Sequence, residues 1–155
     1  NDAFYYPNKI STRIIYNQML TMIIHGTLDN VFLLINGLSK ALDKPYVGYG
    51  HQVQRGEPYR RGCQLTEAQA DALLRKDLRK FCALYSQYGK DSVLLGALAY
   101  NCGPGVVNKS TVLKKLKRGD RNIFKSYTSH CRYKGKWHKG LYTRRLTEIL
   151  TLYTP

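Results

Sequence analysis

The sequence predicts a single α+β domain, mostly helical, with a small β-hairpin region inserted after the early helices. Apolar residues recur at helical spacing through most of the chain, whereas residues 43–64 carry Gly and Pro between short β-prone pieces such as Tyr46-Val47. Residues 92–100 are nearly all apolar, which is typical of a central buried helix. A chain of 155 residues can bury one core, and we assign residues 11–155 to this domain.

Two helices are predicted before the hairpin region. Residues 1–10 are polar and aromatic, and they predict a loosely attached N-terminal arm. Apolar residues then recur along one helix face over residues 12–24. A second helix follows Thr27 or Asp29, since either residue suits an N-cap, and it ends near Gly37.

Helices also dominate the chain after the hairpin region. Thr66 and Gln69 have the separation of a capping box, which predicts that a helix begins there. The apolar helix over residues 92–100 is predicted to end at the segment 101–105, because its glycines and proline stop helices. Further helices are predicted over residues 109–118, 121–128 and 141–152.

The chain is strongly basic, with a net charge of +15 from 25 Lys and Arg against 10 Asp and Glu. This excess indicates a polyanionic partner, which can be nucleic acid, an anionic envelope surface or a cell-wall polymer. No apolar run is long enough to span a bilayer, and no signal-peptide pattern stands at the start. A mature form whose signal has been removed is equally consistent with the sequence.

The cysteines do not form a metal motif. Neither a CxxC pair nor a Cys/His spacing typical of zinc occurs, so we expect no metal and no cofactor. An even number of cysteines permits two disulfides in an oxidising compartment and equally permits four buried thiols. The four are Cys63, Cys82, Cys102 and Cys131.

Four segments carry motifs in a recognisable order. The first is a strand that ends in Gly-Tyr-Gly-His (Tyr46–His51), and the second is the helix after it (Leu65–Leu74 with Asp77-Leu78). The third is the end of the apolar helix (Ala97–Gly103), and the fourth is a Gly-Leu and Arg-Arg signature (Gly140-Leu141 with Arg144-Arg145 and Glu148). Together they resemble the phage-type lysozymes, or endolysins, over roughly residues 36–150. The resemblance implies a lysozyme-like fold. The spacing and the closing Arg132–Lys136 are most similar to a branch carried by Bacteroides-type conjugative elements.

This resemblance implies cleavage of the β-1,4 bond between N-acetylmuramic acid and N-acetylglucosamine in peptidoglycan. The reaction needs a carboxylic acid that protonates the leaving oxygen and a second polar group that organises water. In the family the acid is a Glu before Gly, at the end of the helix that precedes the hairpin. The matching segment is Leu34-Ile35-Asn36-Gly37, fifteen residues before His51 when counted from Asn36. An amide has no proton to give at neutral pH.

The catalytic position therefore holds Asn36 where the family has its acid. Two origins stay open, an engineered change that traps substrate and a natural loss of activity. Of the acidic residues, only Asp43 and Glu57 lie in or beside the hairpin region, where the cleft is expected. Glu67 and Asp71 are predicted to face solvent on the helix after the hairpin.

Other positions of the family pattern imply further roles. Asp43 occupies the hairpin approach, where the family often has Asp or Cys. Tyr46 stands where many relatives have the Thr that positions water. His51 and Asp77 match a pair that forms a structural salt bridge between hairpin and helix, so we expect them within about 6 Å of each other.

The second half of the chain supplies the remaining expected contacts. Tyr100 and Asn101 match the floor of the substrate cleft, and we assign them to substrate binding together with Arg145. For Arg145, which lies at the start of the C-terminal helix, a packing role and a solvated helix charge are the alternatives.

The suspected branch also has a bearing on the cysteines. Cysteines recur there at the places of Cys82 and Cys131. For an exported protein this implies disulfides between Cys82 and Cys131 and between Cys63 and Cys102, with four buried thiols as the opposing interpretation.

Three functions follow. The first is a monomeric peptidoglycan muramidase, exported to the periplasm or cell envelope, that acts on glycan strands. The second is a non-catalytic peptidoglycan-binding module that keeps the cleft. The third is a nucleic-acid-binding protein, based on the basic and tyrosine residues within 125–139. No recognised nucleic-acid motif supports the third, and wall polyanions explain the charge as well.

Overall fold

The computed structural model describes residues 46–48, 51–60, 63 and 65–155, with only the backbone described for Tyr46 and Glu67. The predicted N-terminal arm, the two early helices, Asn36 and Asp43 lie outside these residues. Among the described residues, a small hairpin precedes a series of helices, so the predicted mostly helical α+β organisation is confirmed.

The hairpin consists of two short antiparallel strands, β1 (Tyr46–Val47) and β2 (His51–Gln52). Tyr46 pairs with Gln52, and Val47 pairs with His51. Val47 and His51 are both buried, which orients this rung of the ladder toward the helices.

Helix α1 (Glu67–Ala83) follows, and the predicted capping box is present at its start. The Thr66 hydroxyl accepts a hydrogen bond from the Gln69 amide at 3.2 Å, and the Gln69 side chain accepts one from the Thr66 amide at 3.0 Å. These two bonds satisfy donors that a helix end leaves unpaired. The helix buries Leu74, Leu78 and Cys82 in the core.

Helix α2 (Ser92–Cys102) is the predicted central helix, and every residue from Ser92 to Ala99 is buried. A short 3₁₀ helix (Ser86–Asp91), which the sequence did not predict, leads into it. Gly96 lies where α2 meets α1. A β-carbon at this position would stand 2.8 Å from the Cα and N atoms of Cys82, so the close approach of the two helices requires glycine.

The remaining elements surround α2. Gly103 adopts a positive φ of 88° and ends α2, but Pro104 immediately begins a new short helix, because its fixed φ suits a first helical position. The elements after Gly103 are α3 (Pro104–Asn108), α4 (Thr111–Lys117), α5 (Phe124–Thr128), the hairpin β3 (Arg132–Tyr133) and β4 (Lys136–Trp137), and α6 (Lys139–Leu152). The helices predicted over residues 109–118, 121–128 and 141–152 are confirmed as α4, α5 and α6, with shifted ends. Neither α3 nor the β3–β4 hairpin was predicted.

One main hydrophobic cluster is formed by α1, α2 and the helices packed around them, including Leu98, Val112 and Ile149. A second, smaller cluster is built on Cys131 and Leu141. In the described part of the chain, no helix combines the length and the apolar character needed to cross a membrane. Nor do the described side chains bring together three or more His, Cys, Asp or Glu in a way that suits a metal ion.

Candidate functional site

The predicted site residues that the structure describes belong to two larger groups of contacting side chains. The first, which we call the hairpin triad, consists of His51, Glu57 and Asp77. The second, which we call the arginine network, joins α2, α5 and α6 through Asn101, Tyr127, Arg144, Arg145 and Glu148. Tyr100 lies between the two groups.

The hairpin triad ties the first hairpin to α1. His51 Nδ1 lies 2.7 Å from Asp77 Oδ2, so the predicted contact between the two side chains is present. The other ring nitrogen, Nε2, lies 2.7 Å from Glu57 Oε2. A histidine ring can donate to two carboxylates at once only when both nitrogens carry protons. The sequence did not predict the contact with Glu57.

The pKa values of the two carboxyl groups in the triad are shifted in opposite directions. The hydrogen bond from His51 lowers the pKa of Glu57. Burial raises the pKa of Asp77, and this effect outweighs the opposing hydrogen bond from His51. A general acid for glycoside cleavage must keep its proton near neutral pH, which Glu57 is less able to do than an ordinary glutamate. Glu57 is therefore a poor candidate for a general acid.

The charged groups of the arginine network are fully buried. Glu148 Oε2 lies 3.3 Å from Arg144 Nε, and Oε1 lies 3.1 Å from Arg145 Nε, with all three side chains at most 1% exposed. The Tyr127 hydroxyl donates to Glu148 Oε1 at 3.0 Å. Two cations thus share one carboxylate. Burial alone would lower the pKa of Arg145, but the charge of Glu148 reverses this and raises it.

Arg145 connects this network to the end of α2. Its Nη2 donates to Asn101 Oδ1 at 2.6 Å, and its Nη1 lies 3.6 Å from Cys102 Sγ. Because the Arg145 side chain is 0% exposed, the alternative of a solvated helix charge is wrong. A sugar cannot reach this guanidinium without displacing its neighbours. The structure therefore gives Arg145 the packing role, with Asn101 as its partner, rather than a surface for direct substrate contact.

Tyr100 stands at the end of α2, next to Asn101. Its ring meets the ring of Phe81 edge to face, with 6.0 Å between centroids. Burial raises the pKa of the Tyr100 hydroxyl; the charge of Asp77 adds to this rise and Arg144 opposes it. Tyr100 therefore lies within electrostatic reach of both groups of residues.

The structure does not bring all predicted site residues together. Asn36 and Asp43 lie outside the described residues, and Tyr46 is described only as a backbone partner of Gln52. Asp71 forms an ion pair with Arg75 on α1, at 2.8 Å. The roles assigned to these residues stay predictions.

The predicted disulfides are absent, and all four cysteines are free. Cys82 belongs to the main core, where it packs against Gly96, whereas Cys131 belongs to the separate cluster with Leu141. Cys63 is exposed, and Cys102 lies beside Arg145. The pairings of Cys82 with Cys131 and of Cys63 with Cys102 are therefore wrong for this structure, because the members of each pair have different surroundings.

Sequence reasoning missed the burial of Arg144, Tyr127 and Glu148. The signal was present in part, since Arg144 and Arg145 precede Glu148 by four and three residues, the spacing at which side chains meet on a helix. That spacing is also common on exposed helix faces. The contact with Tyr127 of another helix, which completes the burial, is not visible in the sequence.

Comparison with known proteins gives concordant results. The family described as Phage lysozyme matches residues 36–148. Over 153 residues, the chain is 31% identical to the SAR-endolysin of Bacteriophage PS119, covering 85% of this chain and 90% of that protein. The placement in a branch of conjugative elements stays a prediction.

Two solved structures share the fold of this chain. The endolysin from Escherichia coli O157:H7 phage FAHEc1 aligns with a TM-score of 0.57 and 25% identity, over 72% of this chain and 78% of that one. The muramidase domain of SpmX from Asticaccaulis excentricus shares the fold, with a TM-score of 0.59 and 24% identity over 71% and 80% of the two chains. The predicted lysozyme-like fold is thus confirmed. With a family match over most of its length and a relative above 30% identity, the chain belongs to the phage lysozyme family.

Proposed function

We propose that this protein is a peptidoglycan muramidase whose hydrolysis is strongly weakened because Asn36 occupies the place of the general acid. The bond that it cleaves is the β-1,4 link between N-acetylmuramic acid and N-acetylglucosamine. The protein binds glycan strands as a monomer in the periplasm or cell envelope, where that polymer lies. Acid–base cleavage of a glycoside needs no metal and no cofactor.

One observation carries the proposal of weak hydrolysis. Every acidic side chain that the structure describes lies within salt-bridge distance of a basic partner. The pairs are Glu57 and Asp77 with His51, Asp71 with Arg75, Asp91 with Arg121, Asp120 with Arg118, and Glu148 with both Arg144 and Arg145. An adjacent cation favours the ionised form of a carboxyl group, which makes it a weaker acid catalyst. Asp77 differs, because burial outweighs this effect and raises its pKa, but its side chain is largely buried and engaged with His51. None of these groups is therefore suited to donate a proton to the leaving oxygen, as a glutamate at position 36 would.

The end of α2 supports glycan binding. Arg145 donates to Asn101 Oδ1, and this fixes the amide so that its Nδ2 group is the remaining donor. Tyr100 and Asn101 are consecutive residues at the end of α2, and an oriented amide and an aromatic ring are both groups that can bind a sugar. We assign Tyr100 and Asn101 to substrate binding, with Arg145 as the residue that positions Asn101.

The proposal is tested by restoring the acid. Asn36→Glu should raise the rate of peptidoglycan clearing, measured as loss of turbidity and release of reducing ends, by at least about a hundredfold. Asn36→Gln is the matched control, because it has the same length without the proton and should stay at the original rate. If Asn36→Glu is no faster than the original protein, the acid lies elsewhere, and Asp43→Asn and Glu57→Gln are the next variants to compare.

A binding experiment separates this proposal from a purely non-catalytic glycan-binding module. Both functions predict that the protein sediments with insoluble peptidoglycan and that Asn101→Ala weakens this binding. Asn122→Ala, at an exposed position away from α2, is the matched control. If Asn36→Glu binds peptidoglycan but does not cleave it, the binding module is the correct function.

A further inference from the structure

A pocket lies between α3, α4 and α5, and none of the residues assigned to the glycan lines it. Its volume is about 690 Å³, within the range of small-ligand sites. Lys109, Lys115 and Lys125 all line it, together with Thr111 and His130. No residue of the hairpin triad or of the arginine network is part of this lining.

The pocket has an excess of positive charge. Among the described residues, no carboxylate lines it. Lys115 is partly engaged, since it donates to the Asn122 carbonyl at 2.9 Å and lies 4.0 Å from Asp120, just outside the lining. Lys109 and Lys125 are exposed. Three lysines that line one open pocket give it a positive potential, which a bound anion would neutralise.

The hydroxyl groups of the pocket define which atoms can bind an anion. Ser110, Ser126 and Ser129 each donate to a backbone carbonyl, at 2.6, 3.0 and 2.6 Å. Their protons are therefore used inside the protein and stiffen the pocket wall. The donors that remain for a ligand are the lysine ammonium groups, the Thr111 hydroxyl and one N–H of the His130 ring.

The donor type favours phosphate over carboxylate. Lysine is a compact point charge that can approach an oxyanion from any side, whereas the planar fork that matches a carboxylate is arginine. Phosphate has three or four oxygens arranged around a centre, which suits several separate ammonium groups. The pocket has three lysines and no arginine in its lining.

We infer that this pocket is a binding site for a phosphate group, carried by a phosphomonoester, a phosphodiester or pyrophosphate. The site goes beyond the proposed hydrolysis, because the glycan strand of peptidoglycan itself carries no phosphate. Val106, which is 48% exposed at the pocket edge, would contact an apolar substituent of the ligand. The phosphate can come from a soluble compound or from a lipid headgroup.

Titration of the full chain with pyrophosphate, followed by calorimetry at constant ionic strength, tests the site. We expect one saturable site, weakened at least about tenfold in the double variant Lys109→Gln, Lys125→Gln. The matched control is Lys134→Gln, Lys136→Gln, which removes the same charge from two exposed residues outside the pocket and should change the affinity less than about twofold. Thermal unfolding checks that both variants fold.

The results separate a site from a general charge effect. Equal weakening in the two double variants, or no saturable binding of either pyrophosphate or lipid by the original protein, overturns the inference. Vesicles with and without phosphatidylglycerol then identify the source. Loss of vesicle binding in the pocket variant alone, with displacement by pyrophosphate, assigns the site to a lipid headgroup. Pyrophosphate binding that depends on the pocket, without pocket-dependent vesicle binding, assigns it to a soluble phosphate compound.

Discussion

The hairpin triad and the arginine network both hold carboxylates against cations, but they differ in burial and in the cation used. The cation of the triad is a histidine, which is charged only when it is protonated, and its partner Glu57 keeps a side-chain exposure of 26%. Arg144 and Arg145 are always charged, and neither they nor Glu148 contact solvent to any useful extent. The first group is a contact that pH can change, and the second is a permanent part of the core.

This difference shows that the same pairing of charges has different energetic weight in the two places. Water screens a partly exposed pair and can replace either partner. A buried pair has no such replacement, so the loss of one partner leaves a charge that nothing solvates. Four substitutions or reactions test the contrast, in order of decreasing expected effect.

Glu148→Gln should have the largest effect on folding. It leaves two buried guanidinium groups without a carboxylate, which is expected to lower the free energy of unfolding by about 3–5 kcal/mol. Denaturant unfolding measures the change. Asp71→Asn is the matched control, because Asp71 and Arg75 form a partly exposed pair of the same i,i+4 spacing, and its loss should cost less than about 1 kcal/mol. Similar losses in the two variants would show that burial does not set the energy of these pairs.

Asp77→Ala should have an intermediate effect. It leaves the buried Nδ1 of His51 without its partner, which typically costs about 1–3 kcal/mol. A double-mutant cycle with His51→Ala isolates the contribution of the contact. If the two single changes add without a coupling energy, the contact between hairpin and helix does not stabilise the fold.

Glu57→Gln should have a smaller effect, less than about 1 kcal/mol, and this effect should depend on pH. Because His51 lowers the pKa of Glu57, its stabilisation is fully present above the ordinary value of 4.5 and is lost as the pH falls through the lower value of the folded protein. Unfolding measured at neutral and at acidic pH should show the difference between Glu57→Gln and the original protein disappearing in acid. A difference that grows in acid would contradict the direction of the shift.

The reactivity of the four cysteines compares exposed with buried positions without any substitution. Denatured but unreduced protein should contain four free thiols. In the native protein, Cys63 should react with iodoacetamide well before Cys82 and Cys131, because it is exposed whereas they are buried. Burial also raises the pKa of Cys82, which suppresses its reactive thiolate. Mass spectrometry of the modified peptides measures the order, and fewer than four thiols after denaturation would restore the disulfide hypothesis.

The elements predicted correctly from sequence are those whose signals lie within a short stretch of the chain. The capping box at Thr66 and Gln69 needs only a separation of three residues, and the apolar run that forms α2 needs only composition. The β3–β4 hairpin was not predicted, because strands of two residues are too short to show alternation. Its turn also places Lys134 at a φ of 50° before Gly135, where Asn or Asp is the usual signal.

The candidate site was predictable only where one residue could be matched to a motif. His51 and Asp77 were identified in this way, and they lie in contact. The involvement of Glu57 and the burial of Arg145 depend on how distant segments pack, and neither has a signature in the sequence. The cysteine pairing was wrong for a related reason, since spacing along the chain does not reveal which side chains face each other.

The crossing of α1 and α2 at Gly96 has a consequence for how the protein can change over evolutionary time. The atoms that a methyl group at Gly96 would meet include the backbone of Cys82, so no choice of side chain at residue 82 can make room for it. Glycine inside a helix costs roughly 1 kcal/mol of helix stability, and here nothing else fits. Asp77 precedes Cys82 by five residues on the same helix. Sequence drift elsewhere can therefore proceed, while the backbone from which Asp77 reaches His51 keeps its position against α2.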